Sequence, residues 1–180
     1  MTIHVAPGLP PVGRAGLRAI FVSVRKRFPQ APSRVSLAML GDLAMDQLHR
    51  QFSGVDGTTD VLSFDLRNAH DASLTPDPAG VCEAEIAVGV EVAYRTAARR
   101  HIDPQRELEL YFAHGLLHLC GFDDHEPADR RRMRAAERAV LGLREISLRG
   151  RTRGRQGTLS DLDRSRRPSP SSSTRPKRRR

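Results

Sequence analysis

The sequence predicts a single α+β domain: a small mixed β-sheet with about five helices, followed by a disordered basic C-terminal tail. Three observations lead there. Segments with strand periodicity gather mid-chain between flanking helices instead of alternating strictly with them. At 180 residues and 38% hydrophobic content, the chain can fill one ordinary core and lacks the length for a second. After Ile146 the composition turns to Arg, Ser, Gly and Pro, with only Leu148, Leu159 and Leu162 left to bury. So little apolar surface cannot offset the entropy of ordering. The division is therefore 1–146 for the domain and 147–180 for the tail.

The elements follow in order. Near the start, Pro7, Gly8 and Pro10 give way to Leu17, Ile20, Phe21, Val24 and Phe28, one face of a helix over about 13–28. Val35, Leu37 and Met39 alternate with polar or small neighbours across 34–41, the pattern of a half-buried strand. Gly41-Asp42 offers a turn and an N-cap, and Ala44, Met45, Leu48 and Phe52 continue at helical spacing over 43–52. Residues 60–66 and 81–88 are the other two strands. The loop between them, rich in Asn, Asp, Ser, Pro and Gly, is longer than a hairpin connection, which marks it as disordered or as part of a site. Three more helices are predicted over 90–101, 104–120 and 127–143, the last two opened by Pro.

The formal charge of +9 suggests an acidic partner until it is located. Twelve of the 30 basic and two of the 21 acidic residues fall within 147–180, which leaves 1–146 with 18 and 19. The domain is near neutral, and the tail is either a nucleic-acid-binding arm or a solvated extension. Two cysteines, Cys82 and Cys120, are too few for a disulfide-stapled secreted scaffold, and no signal peptide is visible, so a cytoplasmic location is expected. No apolar run reaches the roughly 18 residues of a membrane span. With no Trp and 4% aromatic residues, base-stacking platforms are not expected.

The chemistry concentrates in His114-Gly-Leu-Leu-His118-Leu-Cys120-Gly121-Phe-Asp123-Asp124-His125, which holds three of the seven histidines. His114 and His118, four apart on the predicted fourth helix, project from one face about a turn apart, a spacing that can grip one Zn²⁺. Gly121 is placed to stop the helix in a left-handed conformation. Asp123, Asp124 and His125 emerge from the turn, and any of them offers a third ligand, leaving a position open for water. A structural zinc site usually closes with four protein ligands and often uses Cys pairs, which this chain lacks; Cys120 reads as a small core residue. A metallopeptidase of the helical two-His type carries Glu directly after the first His, where this chain has Gly115.

This segment resembles the signature of the YbeY family of endoribonucleases, usually H-G-x-L-H-L-x-G-Y/F-D-H. A second block agrees: Thr59-Asp60-Val61-Leu62-Ser63-Phe64 resembles the family strand P-T-D-V-L-S-F, and Glu83-Ala84-Glu85-Ile86-Ala87 stands where the family has G-D/E-I-x-I/V. The resemblance covers about 36–143. It implies a zinc-dependent, single-strand-specific endoribonuclease with one Zn²⁺ per chain. Its implied work is rRNA maturation, including 16S rRNA 3′ end processing, and ribosome quality control, with single-stranded RNA, rRNA and ribosomal subunits as partners.

Two departures bear on the site. The family places its third His six residues after the second, which is Asp124 here, with His125 one residue later. His125 is taken as the third ligand because imidazole completes a three-His set, so that His114, His118 and His125 are the expected catalytic and metal-binding residues; Asp124 is the alternative ligand. Secondly, the family usually has an Arg shortly before the T-D-V-L-S-F strand, where this chain reads Phe52-Ser53-Gly54. Ser53 cannot neutralise a phosphate, and Arg50 could replace it only if its loop turned it inward.

With zinc bound, water acidified from near 16 toward about 7, or a polarised phosphoryl oxygen, would let a phosphodiester be attacked without a strong protein base. Asp123 or Asp124 could orient a His ring, Asp123 being equally suited to bond its own turn. Thr59 and Ser63 are candidates to line the cleft. Arg95, Arg99, Arg100 and Arg106, and the run Arg130, Arg131, Arg132, Arg134 and Arg138, are candidate phosphate-binding patches. The rival reading is a non-catalytic, zinc-containing ribosome-associated RNA-binding factor, in which the metal would be needed for folding.

Overall fold

Four strands and five helices appear in the order β1 (Thr2–Val5), α1 (Arg14–Arg27), β2 (Val35–Leu40), α2 (Asp42–Ser53), β3 (Val61–Asp65), β4 (Ala84–Gly89), α3 (Val90–Arg100), α4 (Pro104–Leu119) and α5 (Pro127–Leu141). A computed structural model of the chain describes residues 1–67 and 83–142. The long loop expected before the fourth strand and the expected tail lie largely or wholly outside those residues.

The sheet has the order β1-β2-β4-β3. β1, β2 and β4 run parallel, and β3 pairs antiparallel with β4. This mixed sheet with helices mostly on one face is the predicted α+β architecture. Strand β1 was not foreseen. At four residues it is too short for alternation to show, and its place comes from pairing Thr2 to Val5 with Ser36 to Met39. Asp42 also departs from expectation: Gly41 is the N-cap of α2. The Asp42 N–H bonds Glu91 Oε2 at 2.7 Å and its carboxylate pairs with Arg95, tying α2 to α3 instead of capping the helix.

The period of two along each strand sorts side chains to two faces. Val35, Leu37 and Met39 of β2, with Ala84, Ile86 and Val88 of β4, join the main core with α1, α3, α4 and α5. Leu62 and Ala87 point the other way and meet Met45 of α2 in a smaller cluster. Helix α4 lies at the centre of the main core. Its N-terminus is set by Asp103, which accepts the Gln105 N–H at 2.9 Å, and by Pro104 in the first turn. Leu108, Phe112, Leu116 and Leu117 are fully buried, so α4 is apolar around most of its circumference and is covered on all of those sides. Such burial contributes about 1.5–3 kcal/mol for each large side chain. Whatever projects from the last two turns of α4 is therefore held on a helix buried around most of its circumference.

Candidate metal centre

Helix α4 approaches the sheet closely where it carries the histidines. A Cβ added at Gly115 would stand 2.8 Å from Ser63 Oγ, 2.9 Å from Val61 Cγ2 and 3.2 Å from Ile86 Cγ2. Only Gly lets the helix backbone settle there. Ser63 Oγ donates to the Gly115 carbonyl at 3.1 Å, pinning the helix to β3. Ser63 thus serves as a tie between helix and strand. Thr59 is buried and donates to Asp60 Oδ1 at 3.2 Å, which settles the chain into β3.

His114 and His118, one turn apart, bring their Nε2 atoms to 3.0 Å, with the rings nearly perpendicular at 87°. Behind His114, Glu137 of α5 places Oε1 2.7 Å from Nδ1, both groups being buried. The Glu137 carboxylate accepts the Nδ1–H, and this tautomer leaves the Nε2 lone pair facing His118 and Asp124. Burial, and then the neighbouring His114, push the His118 imidazole down to about 4, against the opposing pull of Asp124 and Asp123. At neutral pH it is an uncharged donor, as a metal ligand must be.

The chain leaves α4 through a Schellman turn. Gly121 adopts φ +85°, its N–H bonds the His118 carbonyl at 2.9 Å, and the Phe122 N–H reaches the Leu117 carbonyl at 3.1 Å. Phe122 then packs edge-on against Phe28, ring centroids 5.2 Å apart. Asp123 Oδ1 accepts the N–H groups of Asp124 (2.6 Å) and His125 (3.2 Å), so its carboxylate shapes the turn. From α5, Arg130 donates to the carbonyls of Asp124, at 3.2 Å, and His125. Both sides of this short segment are held.

The outcome is that Asp124 faces the histidine pair, with Oδ2 3.8 Å from His114 Nε2 and Oδ1 3.9 Å from His118 Nε2. His114, His118 and Asp124 offer ligand atoms that all lie within 4.8 Å of one another. Donors bound at about 2.0–2.2 Å to one ion lie roughly 3–4 Å apart, so this two-imidazole, one-carboxylate set fits a divalent cation such as Zn²⁺. His125 is outside that set: 69% of its side chain is exposed, its Nε2 is 3.5 Å from Asp123 Oδ1, and it forms a second, more exposed group with Asp123 and Asp124. Cys120 is buried and outside the group, its carbonyl accepting from Gln30 Nε2 at 3.0 Å.

Arg50 does not turn inward. It is paired with Asp46 at 3.0 Å and Asp56 at 2.7 Å, and the Ser53 hydroxyl is buried with no hydrogen-bond partner among the described residues. Sequence reasoning missed Glu137 and the packing role of Gly115, and it read Arg130 as a phosphate-binding candidate where the structure has it hold the Asp124 and His125 carbonyls. One signal was available for Glu137: it shares a helical stripe with Met133, Ala136 and Val140, where a carboxylate has no reason to be buried without a partner.

The family model described as Endoribonuclease YbeY matches residues 17–144. The chain belongs to the endoribonuclease YbeY family. Curated relatives carry the same name. One from Roseiflexus castenholzii is 34% identical over 135 residues, covering 74% of this chain and 84% of the relative. One from Heliobacterium modesticaldum is 34% identical over 118 residues, covering 63% and 71%. A third, from an Anaeromyxobacter species, is 36% identical over 108 residues, 60% of this chain but 53% of the relative, so the chain spans about half of that protein's length. YbeY proteins form a family of metal-dependent hydrolases. In the family spacing the third His falls six residues after the second, and in this YbeY chain that position is Asp124, the residue the fold sets beside the pair. No described helix is long and apolar enough to cross a membrane.

Proposed function

We propose that the chain is a zinc-dependent endoribonuclease that cleaves single-stranded RNA. Its partners on this reading are rRNA and ribosomal subunits, its work is rRNA maturation, including the 16S rRNA 3′ end, and ribosome quality control, and its location is the cytoplasm. The observation that carries the reading is the convergence of His114, His118 and Asp124 on one point within a YbeY chain. His114 and His118 are two of the ligands and Asp124 is the third. His125, the ligand that imidazole chemistry alone would choose, is the competing assignment, and the distances favour Asp124.

A bound Zn²⁺ supplies Lewis acidity, acidifying a water and polarising a phosphoryl oxygen. The chain's own residues do the rest. Glu137 fixes the tautomer and the ring orientation of His114. Burial keeps His118 neutral. The Asp124 carboxylate lowers the charge of the centre by one relative to a third imidazole, and Arg130 with Asp123 holds its backbone in place.

The non-catalytic, zinc-containing ribosome factor remains the second reading, supported by Ser53 and by the ion pairs that occupy Arg50. Cleavage of an end-labelled single-stranded RNA, with a duplex control, separates the two. On the enzyme reading, EDTA abolishes cleavage, added zinc restores it, and His114→Ala is not rescued. Full cleavage by His114→Ala would overturn the metal mechanism; zinc-dependent folding without any cleavage would favour the second reading.

A further inference from the structure

The cations of the domain fall into two populations. On α2 and α3 and just after β3, four arginines are paired, Arg50 with Asp46 and Asp56, Arg67 with Asp65, Arg95 with Asp42 and Arg100 with Glu107, while Arg99 and Arg106 on the α3–α4 side have no ion pair among the described residues. The α1 and α5 layer is different. Helix α1 carries Arg14, Arg18, Arg25, Lys26 and Arg27 and no acidic residue. On α5 one acid, Glu137, is buried against His114, and another, Asp129, is taken by Arg132. Among the described residues, none of the five α1 cations, nor Arg131, Arg134 or Arg138, is in an ion pair.

These two helices pack against each other, and both run to the metal centre. Phe28, just beyond α1, packs on Phe122, and Gln30 bonds the Cys120 carbonyl. At the start of α5, Arg130 holds the carbonyls of Asp124 and His125. The last turn of α1, with Arg25, Lys26 and Arg27, and the opening turns of α5, with Arg131, therefore converge on the segment that bears the third ligand. Arg14, Arg18 and Arg25 recur at i, i+4 and i+11, one stripe along α1 about 16 Å long. A helix dipole explains cations in the last turn of α1. It does not explain Arg14, which opens the helix at the positive end, where a cation is disfavoured until an anion covers it.

We propose that the basic face formed by α1 and α5 grips the phosphate backbone of single-stranded RNA and leads the strand to the His114–His118–Asp124 centre. This rests on the endoribonuclease reading above. It explains how a near-neutral domain that lacks the cation before β3 would hold a polyanion: most of the cations outside ion pairs are collected on one layer, and Arg99 and Arg106 stand apart from it. Because phosphate contacts position the strand without reading its bases, the grip is sequence-tolerant.

The test uses the full chain and a fluorescein-labelled 15-nucleotide oligouridylate. Binding is followed by anisotropy from 50 to 300 mM salt with zinc content measured on the same samples. Arg25→Glu/Arg131→Glu is compared with Arg99→Glu/Arg106→Glu, an equal charge change on the α3–α4 side. The α1/α5 reversal should weaken binding by about tenfold or more and reduce the salt slope by about 1.4, from two lost single-strand phosphate contacts. The other pair should shift binding by less than about twofold, with zinc content unchanged in both. Equal losses in the two pairs, or none in the first, overturn the surface even where the wild type cleaves RNA. Binding through these residues without cleavage upholds the surface and overturns the enzyme reading; absence of RNA binding overturns both.

Discussion

The candidate metal centre has two halves that differ in kind. His114 and His118 stand on a helix whose backbone is internally hydrogen-bonded and whose sides are buried, and one of their rings is held from behind by a buried carboxylate. Asp124 and His125 stand on a short turn, half-exposed and exposed, kept in place by a glycine turn, one Asx-type carboxylate and one arginine. The difference sets what each half tolerates. An inserted residue within α4 would rotate everything beyond it by about 100° and destroy the pair. An inserted residue in the turn would change which side chain faces the histidine pair. In this chain the turn presents the Asp124 carboxylate to the histidine pair, with His125 one residue later.

Perturbing each half should therefore give graded effects. The largest is expected for His118→Ala, which removes a proposed ligand from the rigid half: zinc content measured by mass spectrometry should fall close to zero while the melting curve stays cooperative. Next is Glu137→Gln, which removes the charge that orients His114; zinc affinity in a chelator competition should fall by about 10–100-fold. Arg130→Ala loosens the turn alone. Losing two hydrogen bonds worth about 1 kcal/mol each should weaken zinc by no more than roughly thirtyfold, and Arg130→Lys should recover part of the loss, which a merely destabilised fold would not show. The smallest effect on metal, and a direct one on packing, is expected for Gly115→Ala. Helix propensity alone predicts stabilisation of about 1 kcal/mol. The contacts of 2.8 and 2.9 Å predict destabilisation of about 1–3 kcal/mol by urea unfolding instead.

The helical half was legible in the sequence because its determinants are local. A four-residue spacing on an apolar helix places two imidazoles together whatever surrounds them, and Gly121 announces the stop. The same holds for β2, whose alternation of Val35, Leu37 and Met39 is visible without its neighbours. The turn half was not legible. Which of Asp124 and His125 faces the pair depends on hydrogen bonds from Asp123 and from Arg130, on a different helix, and composition favours the imidazole while the backbone presents the carboxylate. Strand β1 and the buried Glu137 were missed for a related reason, since each is defined by a partner distant in sequence. The candidate patch of Arg95, Arg99, Arg100 and Arg106 shows the limit of counting charges: Arg95 and Arg100 are already paired, and that is visible only once Asp42 and Glu107 are seen beside them.

The most direct test of the account is zinc affinity by chelator competition for Asp124→Ala beside His125→Ala, with thermal melting of both metal-free proteins as the control for folding. The structure predicts that Asp124→Ala loses more than about a hundredfold, beyond what an outer partner contributes. His125→Ala should remain within about threefold of wild type, in keeping with an exposed group outside the centre. Loss of zinc in His125→Ala with retention in Asp124→Ala would contradict the account and return the centre to three histidines.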